Sequence, residues 1–184
     1  MKQYKEHQKL HDYIKVFPNV LDTQSCEDIT NNKQYTFAAA SAGTGATPAE
    51  IAKQRNCYIT GLFEEDDKII YRAVEKALNN YITTLGPYSA ALRLDGDTGY
   101  DLLKYETGGF YAPHLDDDTE NPRRISISLL LNEEYEGGEF QFFGEYKVNG
   151  KTGSAIVFPA NFCYPHEVLP VTSGARYSIV TWMY

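Results

Sequence analysis

Residues 100–116 read YDLLKYETGGFYAPHLD, two strand-like runs separated by a turn signal, TGG, at 107–109. Aromatic and aliphatic runs bounded by glycine-rich turns are typical of antiparallel strands. In the second run His114 and Asp116 lie two positions apart, and on a strand such residues point to the same face. An imidazole and a carboxylate on one face can bind one metal ion, so this stretch predicts both a strand pair and half of a metal site.

Further strand-like runs follow it, again separated by turn signals. They are RISISLLLN at 124–132, GEFQFFG at 138–144, GSAIVFPA at 153–160 and RYSIVTWMY at 176–184. In the first of these runs Ser126 and Ser128 alternate with apolar residues. One face of that strand is therefore either polar or lines a cavity.

Helices are predicted mainly in the first half of the chain. Apolar residues recur every four positions between 66 and 85 and predict a helix that ends at a Gly-Pro pair. Asp22 is a plausible N-cap for a helix over about 23–30, after a short strand within 13–20. The small, glycine-rich segment 37–49 is predicted to be a loop, and we consider it as a substrate lid.

This order of elements predicts one domain over residues 1–184, since 184 residues with 42% apolar content suffice for a single core. We expect a helical support over about 1–94 and a β core over about 95–184. Such segregation favours an α+β, mainly β fold in which the N-terminal helices pack on one sheet of an antiparallel sandwich or jelly roll.

Charge and cysteine content restrict the partners. The formal net charge is −8, from 17 basic and 25 acidic residues, which disfavours binding to nucleic acid or to an anionic membrane surface. The three cysteines Cys26, Cys57 and Cys163 predict no disulfide framework and are interpreted as buried small hydrophobes in a reducing compartment. Without a signal peptide or membrane-spanning stretch in the sequence, we expect a cytoplasmic location.

A second histidine completes the candidate metal site. His166 follows the apolar strand expected at 155–159, and two histidines with one carboxylate are the ligand set of non-haem Fe(II) oxygenases, although other divalent metals accept the same ligands. Arg176 and Ser178 share one face of a mostly apolar strand. Because a buried cation is costly unless it binds something, an organic carboxylate is the natural partner of Arg176.

Over roughly residues 100–184 the chain resembles the prolyl 4-hydroxylase-type branch of the 2-oxoglutarate- and Fe(II)-dependent dioxygenases. The shared motifs, in order, are Tyr105-x-x-Gly108-x-x-Tyr111-x-x-His114-x-Asp116, Arg123 or Arg124 opening a strand that ends Leu131-Asn132, Gly137-Gly138-Glu139, Gly153-x-Ala155-x-x-Phe158-Pro159, His166, and Val171-x-x-Gly174-x-Arg176.

The resemblance implies a double-stranded β-helix (a cupin-like jelly roll) that uses Fe(II), 2-oxoglutarate and dioxygen, with ascorbate supporting turnover. The residues it implies are His114, Asp116 and His166 for metal binding and catalysis, and Arg176, Tyr105, Tyr111 and Ser178 for the co-substrate. The sequence departs from the family pattern at Leu130, where many prolyl hydroxylases carry a tyrosine that contacts 2-oxoglutarate.

Several alternatives stay open on the sequence alone. The substrate is a peptidyl residue, most simply proline, or else a free amino acid or other small molecule; a non-catalytic jelly-roll binding module is a further hypothesis. A nucleic-acid demethylase is disfavoured by the charge and by Trp182, which stands where that branch has a second arginine. Tyr105 and Tyr111 are also explained by strand packing. The sequence predicts no oligomeric state.

Two further polar features have simple explanations. His7 and His11 are four residues apart and are interpreted as a solvated surface pair. The acidic run at 116–120 is typical of a solvated turn, with a possible second role in repelling anions or attracting a cationic substrate.

Overall fold

A computed structural model describes residues 9–41, 47–117 and 122–184 of the chain. Within these residues the α-helices are α1 (Thr23–Asn31), α2 (Pro48–Gln54) and α3 (Glu64–Leu85), with short 3-10 helices at Leu10–Tyr13 and Gly86–Ala91. The strands are β1 (Lys15–Phe17), β2 (Ala38–Ala39), β3 (Arg55–Asn56), β4 (Tyr58–Gly61), β5 (Asp101–Tyr105), β6 (Phe110–His114), β7 (Ile125–Leu130), β8 (Tyr135–Gly137), β9 (Phe140–Phe142), β10 (Tyr146–Val148), β11 (Ala155–Pro159), β12 (His166–Val168), β13 (Val171–Gly174) and β14 (Arg176–Met183).

The strands form two main antiparallel sheets. One has the order β1-β11-β7-β14-β5-β4-β2 and the other β10-β9-β12-β6-β3, with β13 and β8 as a separate pair. Residues of both sheets, among them Leu103, Phe142, Phe158 and Val168, form one buried apolar cluster. Helices on one side of such sheets make a jelly-roll-like core with N-terminal helices, which confirms the predicted fold class.

The two helices expected in the first half are present, and their apolar faces explain where they pack. In α1 the Asp22 side chain accepts a 2.9 Å hydrogen bond from the backbone N–H of Ser25, as the capping prediction required. In α3 the buried residues include Ile70, Val74 and Tyr81. These side chains share a second apolar cluster with strands of the seven-stranded sheet, so the helices cover that sheet.

Strand β7 shows why the serine alternation matters. Its residues Ile125, Ile127 and Leu129 belong to the cluster under the helices. Because successive strand residues face opposite sides, Ser126 and Ser128 point the other way, into the space between the two main sheets. They line a cavity there, which decides between the two explanations of the alternation.

The predicted loop over 37–49 is partly wrong. It contains β2, which pairs with β4, and its last two residues begin α2. The helix was missed because it is too short to show an apolar period. Its one local signal is the capping box at its start, in which Thr47 and Glu50 hydrogen-bond each other. Residues 42–46 lie outside the described part of the chain, so the lid stays a prediction.

The described part of the first 94 residues also supplies the strands β2, β3 and β4, which were not predicted, whereas β1 lies within the short strand predicted over 13–20. Strand β1 pairs with β11, β4 with β5 and β3 with β6, so this segment extends both main sheets. Strands of two to four residues carry too little alternation to be read from a sequence, and their partners lie far along the chain.

The remaining predictions concern cysteines, histidines and membranes. Cys26 and Cys57 are buried as expected, whereas Cys163 is partly exposed, and all three are free thiols. His7 lies outside the described residues, and the side chain of His11 is 40% exposed. No helix in the described residues has the length and apolar character needed to cross a lipid bilayer.

Candidate metal centre and adjoining cavity

The three predicted ligands come from two neighbouring strands of the five-stranded sheet. His114 is the last residue of β6, and Asp116 lies in the bend after it, so the expectation that one strand carries both is wrong in detail. His166 opens a strand of its own, β12, in the five-stranded sheet, whereas β11, the strand before it in the chain, belongs to the seven-stranded sheet. Because β12 pairs with β6 in a register that sets His166 opposite His114, the two imidazoles meet.

The donor atoms converge to the separation that a shared ion needs. Ligand atoms of His114, Asp116 and His166 all lie within 4.8 Å of one another. The His114 and His166 Nε2 atoms are 3.6 and 3.5 Å from the two Asp116 carboxylate oxygens, longer than ordinary hydrogen bonds. Two nitrogens and a carboxylate at one side of a cavity suit a divalent metal with further coordination positions open.

Backbone contacts fix the tautomers of both histidines. His114 Nδ1 lies 2.9 Å from the Ala112 carbonyl oxygen, and His166 Nδ1 lies 3.1 Å from the Tyr164 carbonyl oxygen. A carbonyl only accepts, so each Nδ1 carries the proton and donates it. Each Nε2 is then left as a lone pair facing Asp116, the arrangement in which imidazole binds metals.

Burial and hydrogen bonding set the charges of the ligands. Asp116 is 8% exposed, and its Oδ2 accepts a 2.6 Å hydrogen bond from the Ser126 hydroxyl. Burial alone would raise the pKa of Asp116, but the electrostatic effect of His166 and His114 and the hydrogen bond from Ser126 outweigh it and hold the pKa well below its usual range. Burial lowers the pKa of His166 to about 4. The donor set is therefore one anion with neutral imidazole, as metal binding requires.

A cavity of about 610 Å³ opens beside these ligands. Tyr105 and Tyr111 both line it, and Tyr111 stacks on His114 with ring centroids 3.5 Å apart. Val180 and Trp182, on the cavity-facing side of β14, line it too. The tyrosines thus do more than pack between strands, since both contribute to the wall of the metal-side cavity.

Arg176 lies deeper than this cavity. It is 1% exposed and lines a smaller adjoining cavity of about 40 Å³, which shares Phe140 with the large one. Its Nη1 donates a 2.9 Å hydrogen bond to the Ser178 hydroxyl, and its guanidinium carbon lies 5.3 Å from the centroid of the Tyr105 ring. Arg176 Nε has no hydrogen-bond partner within the described residues.

Leu130 is the position at which the sequence departs from the family pattern, and the structure shows what surrounds it. It is 4% exposed, lies opposite Ser178 in the β7–β14 register and lines the small cavity beside Arg176. An aliphatic side chain at this position offers Arg176 no hydroxyl. Ser178 is the side chain that supplies one.

Sequence reasoning missed three charged residues of the large cavity: Arg55, Asp101 and Arg123, the last of which it had only counted as the start of a strand. Arg55 Cζ lies 4.5 Å from the Tyr111 ring centroid and Arg123 Cζ 3.8 Å from that of Trp182. These three residues could be recognised only from their position beside the motif residues in the folded sheets, and no local sequence pattern gives that position. The acidic run is described only as far as Asp117, and its residues 118–120 lie outside the described part.

Comparison with known proteins agrees with this geometry. Residues 100–184 match the family described as the 2OG-Fe(II) oxygenase superfamily. This part of the chain, a little under half of it, is therefore similar to that superfamily. A PKHD-type hydroxylase of Alteromonas mediterranea is 38% identical over 74 residues, which are 39% of this chain and 32% of that protein. A PKHD-type hydroxylase of Synechococcus is 37% identical over 90 residues, or 43% and 39% of the two chains.

The curated relatives are thus matched over roughly a third to two fifths of their length. Solved structures align over nearly the whole chain and share its fold. A prolyl hydroxylase of Trichoplax adhaerens, solved with a hypoxia inducible factor peptide fragment, superposes with a TM-score of 0.75 at 17% identity and covers 94% of this chain and 83% of that one. A prolyl-4-hydroxylase of Pseudomonas putida gives 0.70 at 22% identity, with coverages of 93% and 91%.

Proposed function

We propose that this protein is an Fe(II)- and 2-oxoglutarate-dependent dioxygenase that hydroxylates a peptidyl residue, in the manner of a prolyl 4-hydroxylase. The observation that carries the proposal is the convergence of His114, Asp116 and His166 at the edge of a large cavity. The match of residues 100–184 to the 2OG-Fe(II) oxygenase superfamily supports the reaction class, and the likeness to prolyl hydroxylases supports the fold in which it occurs.

His114, Asp116 and His166 would hold the metal. When bound, Fe(II) supplies the dioxygen chemistry by which a carbon–hydrogen bond becomes a carbon–hydroxyl bond. The protein's part is to present two Nε2 lone pairs and one carboxylate on the same side, leaving the cavity side open. The backbone carbonyls of Ala112 and Tyr164 keep both imidazoles in the binding tautomer.

Arg176 would bind the carboxylate of 2-oxoglutarate that lies away from the metal. In the described part of the chain this buried cation has no carboxylate partner, and its hydrogen bond to Ser178 goes to a neutral group. A buried guanidinium without an anion is unfavourable, so an anionic ligand supplies the missing partner. Tyr105, beneath the guanidinium, and Ser178 keep it oriented.

The aromatic walls would position the substrate and exclude water. Tyr111 covers His114, and Trp182 with Arg123 forms the wall contributed by β14 and the start of β7. A compact, apolar ring such as that of proline packs well against aromatic faces. The alternative is a free amino acid or other small molecule, which the charged side chains that line the cavity favour.

Three finer assignments complete the proposal. Residues 1–184 act as one catalytic domain, since the N-terminal helices share an apolar cluster with the seven-stranded sheet. Dioxygen is the second co-substrate, and ascorbate supports turnover by keeping iron reduced. Three free cysteines suit a reducing compartment such as the cytoplasm.

Anaerobic spectroscopy tests the site. Adding 2-oxoglutarate to the Fe(II)-loaded protein should produce a visible charge-transfer band. Asp116→Ala combined with His166→Ala should abolish it, whereas the surface variant His11→Ala should keep it. No band with the unaltered protein, or a band that survives the double substitution, would overturn the metal assignment.

Mass spectrometry tests the substrate class. The protein is incubated with Fe(II), 2-oxoglutarate and ascorbate, either with a proteome digest or with free amino acids, and products are searched for addition of one oxygen. Oxygen addition confined to peptides supports the first function, and addition confined to free amino acids supports the alternative. Intact metal and 2-oxoglutarate binding without any product would indicate a binding module instead.

A further inference from the structure

We propose that the substrate of this site carries a carboxylate, and that Arg55 binds it. This assignment rests on the proposed function and names the substrate chemistry that the cavity selects. It concerns a residue outside the matched region 100–184, since β3 brings Arg55 to the cavity from the N-terminal segment.

Arg55 has no anionic partner among the described residues. Arg55 is half-buried and lines the large cavity. Its Nε donates a 3.0 Å hydrogen bond to Cys57 Sγ, and its Nη1 lies 3.5 Å from the Ser41 carbonyl oxygen. Both acceptors are neutral or weak, and no carboxylate forms an ion pair with Arg55 among the described residues. Arginine stays protonated, so a partly desolvated guanidinium at a cavity wall favours an anionic ligand.

Arg55 is connected to the candidate metal ligand His114 through the ring of Tyr111. In the β3–β6 pair Arg55 lies opposite Tyr111, and its guanidinium carbon is 4.5 Å from the centre of that ring. Tyr111 in turn stacks on His114. A carboxylate held by Arg55 therefore lies one aromatic ring away from the metal ligands, which is close enough to orient a small substrate above them.

A second cation, Arg123, also lines the large cavity. Arg123 Nη1 donates a 3.0 Å hydrogen bond to the Asp116 backbone carbonyl, and its buried Nε has no hydrogen-bond partner in the described part of the chain. The neighbours of Arg123 at 118–121 lie outside the described part of the chain, whereas the contacts of Arg55 are described. We therefore assign the carboxylate to Arg55. Asp101 is near both arginines: burial raises its pKa, and the attraction of Arg55 and Arg123 opposes this.

The charge balance of the site points the same way. Around the two cavities stand three arginines (Arg55, Arg123 and Arg176) and three acidic residues (Asp101, Asp116 and Glu139). Glu139 is paired with Lys147 Nζ at 3.0 Å, so the three arginines and two aspartates leave one positive charge. A divalent metal and dianionic 2-oxoglutarate cancel each other. A substrate with one negative charge would neutralise the remainder, and in a partly desolvated site such complementarity selects among ligands. The carboxylate belongs either to a free acid or to an acidic side chain or terminus of a peptide.

Esterification tests the proposal while the substrate itself is still unidentified. Free amino acids and a peptide digest are each divided, and one half is treated with acidic methanol, which converts carboxylates to methyl esters. Oxygen addition by the Fe(II)- and 2-oxoglutarate-loaded protein is then compared between the halves. We expect at least about a tenfold loss after esterification, the size of a lost charge-assisted hydrogen bond. The fraction that shows the loss, free amino acids or peptides, identifies the source of the carboxylate.

Variants assign the effect to Arg55. Arg55→Gln should lower oxygen addition to the untreated fraction about as much as esterification does, and Arg55→Lys should restore part of it. Lys53→Gln removes the same charge from an exposed position of α2 and should have little effect. Fluorescence of Trp182, the single tryptophan and a cavity residue, should report weaker binding of the untreated fraction to anaerobic Arg55→Gln protein.

The possible outcomes are separable. Equal oxygen addition before and after esterification, or a preference for esters, shows that the hydroxylase function holds and the carboxylate assignment is wrong. A preference for esters would agree instead with a cationic substrate attracted by the acidic run. An unchanged ester effect in Arg55→Gln overturns the choice of residue. No oxygen addition in any fraction overturns the proposed function and the carboxylate assignment with it.

Discussion

The Ser126 hydroxyl donates a 2.6 Å hydrogen bond to Oδ2 of Asp116, and both side chains are buried beside the cavity. The bond joins β7 of the seven-stranded sheet to the bend after β6 of the other sheet. It occupies one of the two oxygens of the Asp116 carboxylate. Ser126 is therefore a positioning residue for the carboxylate that the metal would use.

Removing this hydroxyl should weaken metal binding. For Ser126→Ala we expect about a tenfold loss in affinity for Fe(II) or Co(II), since groups that orient metal ligands are typically worth that much. Anaerobic calorimetric titration of the purified protein measures it. Ser128→Ala is the matched control, because Ser128 lies on the same face of β7 and its hydroxyl has no hydrogen-bond partner among the described residues. Equal losses in the two variants would contradict the positioning role.

Replacing the deep arginine should separate co-substrate binding from metal binding. We expect Arg176→Gln to raise the 2-oxoglutarate concentration needed for half-saturation of the charge-transfer band by at least about tenfold, the value of a charge-assisted pair. Fe(II) affinity should be unchanged, because Arg176 is not a metal ligand. Arg124→Gln, an exposed arginine at the start of β7, is the control. A parallel loss of Fe(II) affinity in Arg176→Gln would indicate a structural defect instead.

The stability of the metal-free protein should depend on His166 between about pH 6.5 and 4. Burial lowers the pKa of this imidazole from 6.5 to about 4, with His114 acting in the same direction and Asp116 against it. Between these pH values the unfolded chain binds a proton at His166 that the folded chain excludes. The free energy of unfolding therefore keeps its whole contribution from neutral His166 above pH 6.5 and falls as the pH drops towards 4. The loss is on the order of 3 kcal/mol.

Urea unfolding with a chelator present, at several pH values, measures this effect. His166→Gln should show a smaller decrease over the same interval, and His11→Gln should behave like the unaltered protein. If the His166→Gln and unaltered curves run parallel, His166 is not the group responsible.

Gly153 should be irreplaceable for packing reasons unrelated to the site. It has a φ of +75°, and a Cβ there would lie 2.1 Å from the Leu21 carbonyl oxygen. The Gly153 carbonyl oxygen accepts hydrogen bonds from the backbone N–H groups of Val20 and Leu21, which hold the segment before α1 against the turn before β11. We expect Gly153→Ala to lower the free energy of unfolding by about 2–4 kcal/mol.

Thermal or urea unfolding provides the measurement. Gly61→Ala is the control, since a Cβ at Gly61 meets nothing within 4 Å and its φ is not positive. That change should alter stability by less than about 1 kcal/mol. Similar stabilities for the two variants would show that the Leu21 contact relaxes easily.

Long periodic elements were the ones that could be predicted. Helix α3, expected over 66–85, spans Glu64–Leu85, because a four-residue apolar repeat over five turns has one structural solution. The longer strands of the second half were predicted for the same reason. Strands β3 and β12 were not, since two or three residues contain no period and depend on a partner supplied by another part of the chain.

By itself, the sequence determined which chemistry the chain carries. The scarcity of histidines, the His114-x-Asp116 spacing and a later His166 followed by Arg176 identified the candidate ligands and the arginine that proves to be buried, because donor atoms are a property of residue type. Short-range periodicity determined the class of fold.

Only the tertiary structure decided how these groups are oriented and what surrounds them. Pairing of β12 with β6 brings His166 to His114, β7 brings Ser126 to Asp116, and β3 brings Arg55 to Tyr111. The physical reason is that sheet pairing joins residues tens of positions apart through backbone hydrogen bonds, which are the same for every residue type. The register that creates the cavity is therefore set by the packing of the whole domain, not by any local stretch of sequence.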